Sequence, residues 1–261
     1  MTLVQINHVP EAVRVDTSLY LILPENYQLA KKPLEEHKVL FLLHGLSDDG
    51  SAWQRYTNIE ILARDLGLVV VMPSVGRSLY ANMENGQRYF DYVTEEIPTY
   101  LRKVFCLNLA RENTFIAGLS MGGFGALKAA FMRPEQYFAA GSFSGLVSLS
   151  PVFTPEQKLK DPAMMHEFEM VLGGFDRIAG SENDSAVWLK RYAGNPSAFP
   201  RLFAACGLDD DLLPLNRYFA AQMKMAGLPY TYTEDQGKHD WHFWQKYLVR
   251  FLDWALKGQN D

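Results

Sequence analysis

Gly118-Leu119-Ser120-Met121-Gly122-Gly123 follows Thr114-Phe115-Ile116-Ala117, an apolar, β-favouring stretch. It leads into Phe124-Gly125-Ala126-Leu127-Lys128-Ala129-Ala130-Phe131-Met132, which reads as a helix. Strand, G-x-S-x-G, helix is the context that a nucleophile elbow requires. The turn is so tight that the serine must adopt a strained backbone, and residues 118 and 122 must be small so that no Cβ meets the adjacent strand or helix. The strain lifts the Ser120 hydroxyl clear of the sheet, and the helix N-terminus beneath it offers unpaired N–H groups to an anion. The same pentapeptide in a Gly-rich loop would be a chance match, but it would lack the flanking elements and the partners found downstream.

A serine is a poor nucleophile at neutral pH; it needs a base, and the base needs an orienting acid. With this elbow the chain order is serine, acid, histidine. Three histidines follow Ser120: His166, His239 and His242. His166 lies in a polar stretch and reads as a surface residue. His239, in Gln236-Gly237-Lys238-His239-Asp240-Trp241, occupies a loop between the last strand signal and the terminal helix, where a base reaching over the sheet edge belongs. His242 falls inside that helix and is expected to turn away. An H-x-x-H metal pair is the competing reading, but no ligand cluster accompanies it. The acid must follow the preceding strand, and Gly207-Leu208-Asp209-Asp210-Asp211 stands there. Spacing alone does not separate Asp209 from Asp210, and one carboxylate of such a run can cap the helix expected near Pro214.

Acyl transfer also needs backbone N–H groups aimed at the developing oxyanion. One is expected from Met121, the residue after the nucleophile. The other is expected from Leu46, in His44-Gly45-Leu46-Ser47 after an earlier strand, with His44 as a structural hydrogen-bonding group.

Outward from the elbow, short apolar runs alternate with helical patterns. Residues 19–23, 39–43, 68–72, 139–144, 202–206 and 230–232 read as further strands. Continuous rather than alternating apolar runs imply strands covered on both faces, as in a mostly parallel sheet flanked by helices. Residues 59–66, 92–105 and about 241–257 carry helix-period apolar positions. The stretch from about 146 to 200 is polar, helix-prone and broken by prolines and glycines. It reads either as a cap-like insertion over the site or as a long crossover packed on the sheet.

With 261 residues, 48% hydrophobic and 21% charged, the chain is long enough for one domain, 1–261, with that insertion inside it. A net charge of −5 argues against nucleic acid or an anionic membrane as partner. No basic segment and apolar run open the sequence, and no stretch approaches the roughly 20 apolar residues of a membrane span. A cytoplasmic location follows as the expectation. Cys106 and Cys206, each with apolar neighbours, are expected as two buried thiols.

Phe41-Leu42-Leu43-His44-Gly45, the elbow through Leu127, Cys206-Gly207-Leu208-Asp209-Asp210 and His239-Asp240-Trp241 together resemble the esterase D/tributyrin esterase group of α/β-hydrolases. The segments 71–74, 77–80 and 89–92 are similar to its tributyrin-esterase branch, and the likeness spans nearly the whole chain. The resemblance implies an α/β-hydrolase fold and an intracellular serine carboxylesterase acting on short acyl esters, including acetylated sugars and tributyrin, without metal or organic cofactor. Several members are oligomeric, which leaves a homo-oligomer open. It implies Asp210 as the acid, three residues after Gly207; the charge at 211, where an apolar residue is expected, keeps Asp209 and Asp211 as alternatives. S-formylglutathione hydrolase is the neighbouring reading, followed by an acyltransferase and a non-catalytic binding protein on the same fold. Substrate choice is expected to fall to the 146–200 segment and to Trp53, Tyr80 and Trp241, each of which serves equally well as core.

Overall fold

The computed structural model describes residues 1–150, 152 and 160–257. Eight strands form one sheet: β1 (Thr2–His8), β2 (Thr17–Leu23), β3 (Lys38–Leu43), β4 (Leu68–Pro73), β5 (Thr114–Leu119), β6 (Ala139–Phe143), β7 (Arg201–Gly207) and β8 (Thr231–Asp235). Their spatial order is β1-β2-β4-β3-β5-β6-β7-β8. β1 and β2 run antiparallel to their neighbours, and β4 through β8 are parallel. This is the α/β-hydrolase fold. Seven of these strands answer to the apolar runs of the sequence. β1 does not, because it is an edge strand with every residue exposed or half-exposed, so Thr2–His8 needs no apolar run.

Helices of eight or more residues cover both faces: α1 (Ile59–Leu66), α2 (Ile97–Phe105), α3 (Met121–Met132), α4 (Pro162–Leu172), α5 (Ser185–Gly194), α6 (Leu213–Met225) and α7 (Trp241–Lys257). The pleat sends alternate strand residues to opposite sides. Val39, Phe41 and Leu43 join a core with Phe124, Leu127 and Phe131 of α3. Leu40 and Leu42 join a second core with Ile59 of α1 and Tyr247 and Phe251 of α7. Both faces are therefore dry, as the continuous apolar strands require. The pattern read as one helix over 92–105 is a π-helical turn, Tyr92–Glu96, continued by α2.

The 146–200 stretch lies after β6, and its residues 151 and 153–159 fall outside the described residues. Its α4 and α5 pack Met165, Phe168 and Trp188 into the same core as α3. Both cysteines are free thiols, but only Cys206 is buried. Cys106 is exposed because it ends α2 in a left-handed conformation, φ 54°. No helix among the described residues is long and apolar enough to cross a membrane.

Candidate active site

Parallel strands present their carboxyl ends along one edge of the sheet, where ligands bind in open α/β folds. The loops after β3, β5, β7 and β8 carry Gly45 and Leu46, Ser120, Asp210, and His239.

Ser120 sits between β5 and α3 with φ 51° and ψ −117°, a conformation that costs a non-glycine residue about 1–3 kcal/mol. Its backbone is held from both sides. The Ser120 N–H donates to the Phe143 carbonyl at 2.9 Å, and the Ser120 carbonyl accepts from Phe124 and Leu146 at 3.2 and 3.1 Å. The flanking glycines are required by contact: a Cβ on Gly118 would stand 2.4 Å from the Gly122 backbone, and one on Gly122 would stand 2.4 Å from the Leu43 carbonyl oxygen. The start of α3 is thus pressed against the end of β3, which brings the His44–Leu46 loop beside the nucleophile.

His239 reaches back over the sheet edge so that its Nε2 lies 3.0 Å from Ser120 Oγ. Its Nδ1 lies 3.1 and 3.0 Å from Asp210 Oδ1 and Oδ2. The imidazole also meets the buried Trp244 ring edge to face, centroids 5.0 Å apart. Among the three carboxylates, burial separates what spacing could not. A turn from the Gly207 carbonyl to the Asp210 N–H folds Asp210 inward, leaving it 4% exposed, while Asp209 and Asp211 face solvent. Burial alone would raise the Asp210 carboxyl. The hydrogen bond from His239, joined by one from the Leu212 amide at 2.8 Å, outweighs it and holds the group below its usual range. Asp210 therefore stays an anion facing His239.

His44 is buried and touches neither of these groups. Its Nε2 accepts from the Val75 N–H at 3.0 Å, so Nδ1 carries the proton and donates to the Gly45 carbonyl at 2.7 Å. Burial lowers its pKa to about 4, against the raising effect of the Gly45 bond, so the ring is neutral and braces the loop that carries the Leu46 amide. The Met121 amide opens α3, where first-turn N–H groups have no intrahelical acceptor. The His44–Leu46 loop comes beside Ser120 at Gly45, where a Cβ would stand 3.8 Å from the Ser120 Cβ.

His166 is exposed on α4, and His242 is exposed on α7. Of the aromatic candidates, Trp53 and Tyr80 are fully buried: Trp53 Nε1 donates to the Leu43 carbonyl at 2.9 Å, and the Tyr80 hydroxyl donates to the His44 carbonyl at 3.1 Å. Both support the β3 loop from below and neither forms a wall. Trp241 alone of the three is half-buried, packed on Tyr56 and Trp244. One residue that pattern reading passed over is Lys128. Its signal was present, as the lone charge in the otherwise apolar helix 121–132.

A nucleophile elbow on this fold, with an imidazole between serine and carboxylate, defines a serine hydrolase. The chain matches the Esterase family over residues 11–255 and belongs to it; it is a carboxylic ester hydrolase. It is 30% identical to the acetyl esterase of Caldicellulosiruptor saccharolyticus, across 98% of this chain and 99% of that one. Among solved structures it is similar to the fluorophosphonate-binding serine hydrolase FphF of Staphylococcus aureus, with TM-score 0.86 and 29% identity over 97% of this chain and 98% of that one. It is also similar to the S-formylglutathione hydrolase FrmB of Staphylococcus aureus, with TM-score 0.83 and 29% identity over 98% of this chain and 99% of that one.

Proposed function

We propose that the protein hydrolyses short-chain acyl esters, acetyl to butyryl, through a Ser120-His239-Asp210 triad and an acyl-enzyme. The observation that carries this reading is the position of His239, within 3.0 Å of Ser120 Oγ on one side and of the buried Asp210 carboxylate on the other. Asp210 holds the proton on Nδ1, which leaves Nε2 free to accept. As Ser120 Oγ attacks the ester carbonyl, its proton passes to Nε2, and the imidazolium is stabilised by Asp210. The oxyanion is held by the Leu46 and Met121 amides, each worth roughly 10²–10³ in kcat. Collapse expels the alcohol, which takes the proton from Nε2. A water then attacks the acyl-enzyme by the same route, its proton going to Nε2 and on to Ser120 Oγ as the acid departs.

The 146–200 segment is the cap-like part of one domain in this reading. Support comes from its first residue, whose N–H is bonded to the Ser120 carbonyl. The acetyl-esterase likeness favours acetyl esters, and acetylated sugars and tributyrin are the classes that the family resemblance implies. A thioesterase acting on S-formylglutathione is the second reading, favoured by the likeness to FrmB.

The test is kcat/KM on acetyl, butyryl, octanoyl and feruloyl esters and on S-formylglutathione, with Ser120→Ala as control. A maximum at acetyl or butyryl that vanishes in the variant supports the esterase. A dominant thioester rate moves the activity to the second reading, and activity retained by Ser120→Ala refutes the triad.

A further inference from the structure

Lys128 lies on α3, two turns beyond Ser120, with no exposed surface. Its ammonium donates to Glu182 Oε1 at 2.7 Å, to Asn183 Oδ1 at 2.7 Å and to the Tyr80 carbonyl at 3.3 Å. It also stands 4.2 Å above the Phe90 ring. Burying an ammonium costs several kcal/mol unless it is paired and its protons are satisfied, and here all three protons have acceptors. Those acceptors belong to two parts of the chain, the loop after β4 and the segment between α4 and α5, which also meet through the Arg177–Glu84 ion pair.

The loop after β4 is where the strain lies. Leu79 and Tyr80 are consecutive non-glycine residues in the left-handed region, φ 53° and 48°. Such conformations persist only where their surroundings over-determine them. At Tyr80 the amide donates to Ser78 Oγ at 3.2 Å, the carbonyl accepts from Lys128, and the ring lies against Gly125 of α3, where a Cβ would come within 2.5 Å of it. The phenol then donates to the His44 carbonyl at 3.1 Å, one peptide ahead of Gly45-Leu46. One line of contacts therefore runs from Glu182 and Asn183 through Lys128 and Tyr80 to the His44–Leu46 loop beside Ser120.

We propose that Lys128 is a positioning residue for the oxyanion hole, fixing the His44–Leu46 loop through Tyr80 and tying it to the 182–183 segment. The proposal rests on the Leu46 amide acting as an oxyanion donor in the triad reading above. A donor that is displaced, not deleted, costs less than the 10²–10³ of outright loss, and small misplacements of reacting groups are costly in their own right. About a tenfold fall in kcat is expected, with KM changed less than about twofold, because the contact line serves the transition state and touches no substrate.

The experiment compares Lys128→Met, Tyr80→Phe and the double variant on a butyryl ester, with active sites counted by fluorophosphonate labelling. Each single variant should lose about tenfold in kcat at nearly constant KM, and the double should lose little more than either, since both interrupt one line. Two results overturn the proposal: Lys128→Met with a lowered Tm but wild-type kcat per labelled site, or losses that multiply in the double variant. Should Lys128→Met not fold, Glu182→Ala with Asn183→Ala removes both far acceptors from half-buried positions. A twofold to fivefold fall in kcat then supports the coupling, and unchanged kcat overturns it. Failure of the triad reading looks different, because wild-type enzyme would then take up no fluorophosphonate at Ser120.

Discussion

Asparagine at position 210 keeps the size of the side chain and exchanges one acceptor for a donor. Asp210 Oδ1 accepts from the half-buried Leu212 amide at 2.8 Å and lies 3.1 Å from His239 Nδ1, while Oδ2 lies nearer to Nδ1, at 3.0 Å. An asparagine has one carbonyl oxygen and one NH₂. Turning the NH₂ toward Leu212 would leave two donors face to face at a part-buried site, a loss of about 1–3 kcal/mol. The oxygen therefore stays with Leu212, and the NH₂ faces Nδ1. The imidazole can accept that bond only by moving its own proton to Nε2, 3.0 Å from Ser120 Oγ. In that tautomer it cannot take the serine proton. The wrong tautomer in a triad costs on the order of 10⁴ in kcat, about 5 kcal/mol of barrier. The assay is steady-state hydrolysis of a butyryl ester by Asp210→Asn, with circular dichroism and Tm to establish folding. Asp209→Asn and Asp211→Asn are the controls: both residues are exposed, and the Asp209 carboxylate accepts from Gln236 across the loop. Each control should stay within about threefold of wild type, the range of ordinary surface changes. More than a tenth of wild-type kcat in Asp210→Asn, or equal losses at all three positions, would refute the reasoning.

Gly122→Ala places a Cβ 2.4 Å from the Leu43 carbonyl oxygen; we expect at least ~2 kcal/mol of destabilisation, a Tm lower by ~4–8 °C and lost activity, and an unchanged Tm would show the elbow can open without cost. Burial lowers the Lys128 ammonium from 10.5 to about 8, partly offset by Glu182. Between those values the unfolded chain binds a proton that the folded one does not, so this group's contribution to stability should rise as pH climbs from about 8 toward 10.5. The wild-type Tm should therefore gain on that of Lys128→Met over this window, and parallel curves would contradict it. His44 is held neutral by burial, its pKa lowered from 6.5 to about 4. Its contribution is complete above 6.5 and lost as pH falls through about 4, an effect of about 3 kcal/mol. His44→Gln should flatten the acid limb of the Tm curve between pH 6.5 and 4, and an equally steep limb in the variant would be evidence against a neutral, buried imidazole.

The elbow was legible because its chemistry constrains its neighbours: small residues are needed at fixed offsets from Ser120, and the close contacts of Gly118 and Gly122 are what enforce them. The inner strands were legible for a related reason, since burial on both faces leaves β3, β4 and β5 with few alternatives to apolar residues. Other positions depended on depth, which sequence spacing does not report. Asp209, Asp210 and Asp211 are interchangeable as a string, and a single turn closed on Gly207 decides which one is inside. Trp53 and Tyr80 read equally well as pocket wall or core; each turned out to hold a carbonyl at the end of β3. Lys128 in a helix would ordinarily be taken for its solvent face, but α3 is covered on every side by the sheet, α5 and the β4 loop.

The least legible feature is how the serine, acid and histidine loops are registered, because backbone bonds carry much of it. Four of the six non-glycine residues with positive φ among the described residues, Leu79, Tyr80, Ser120 and Ser144, lie in loops that follow β4, β5 and β6 at one edge of the sheet. At β5 and β6 the strained residue donates its N–H to the end of the next strand: Ser120 to the Phe143 carbonyl of β6 at 2.9 Å, and Ser144 to the Ala205 carbonyl of β7 at 2.8 Å. The series continues past β7, where Leu208 donates to Asp235 of β8 and Asp209 donates to Gly237, both at 2.9 Å. Backbone bonds thus pass from the nucleophile loop to the acid loop and on to the histidine loop, each spanning one strand spacing. Those two bonds are the last rungs of the parallel ladder, and the positive φ at 120 and 144 turns the chain off the strand immediately after them. The ladder thus registers the three loops against one another up to the point where each turns away, and Ser120, Asp210 and His239 come to lie within 3.0–3.1 Å of contact.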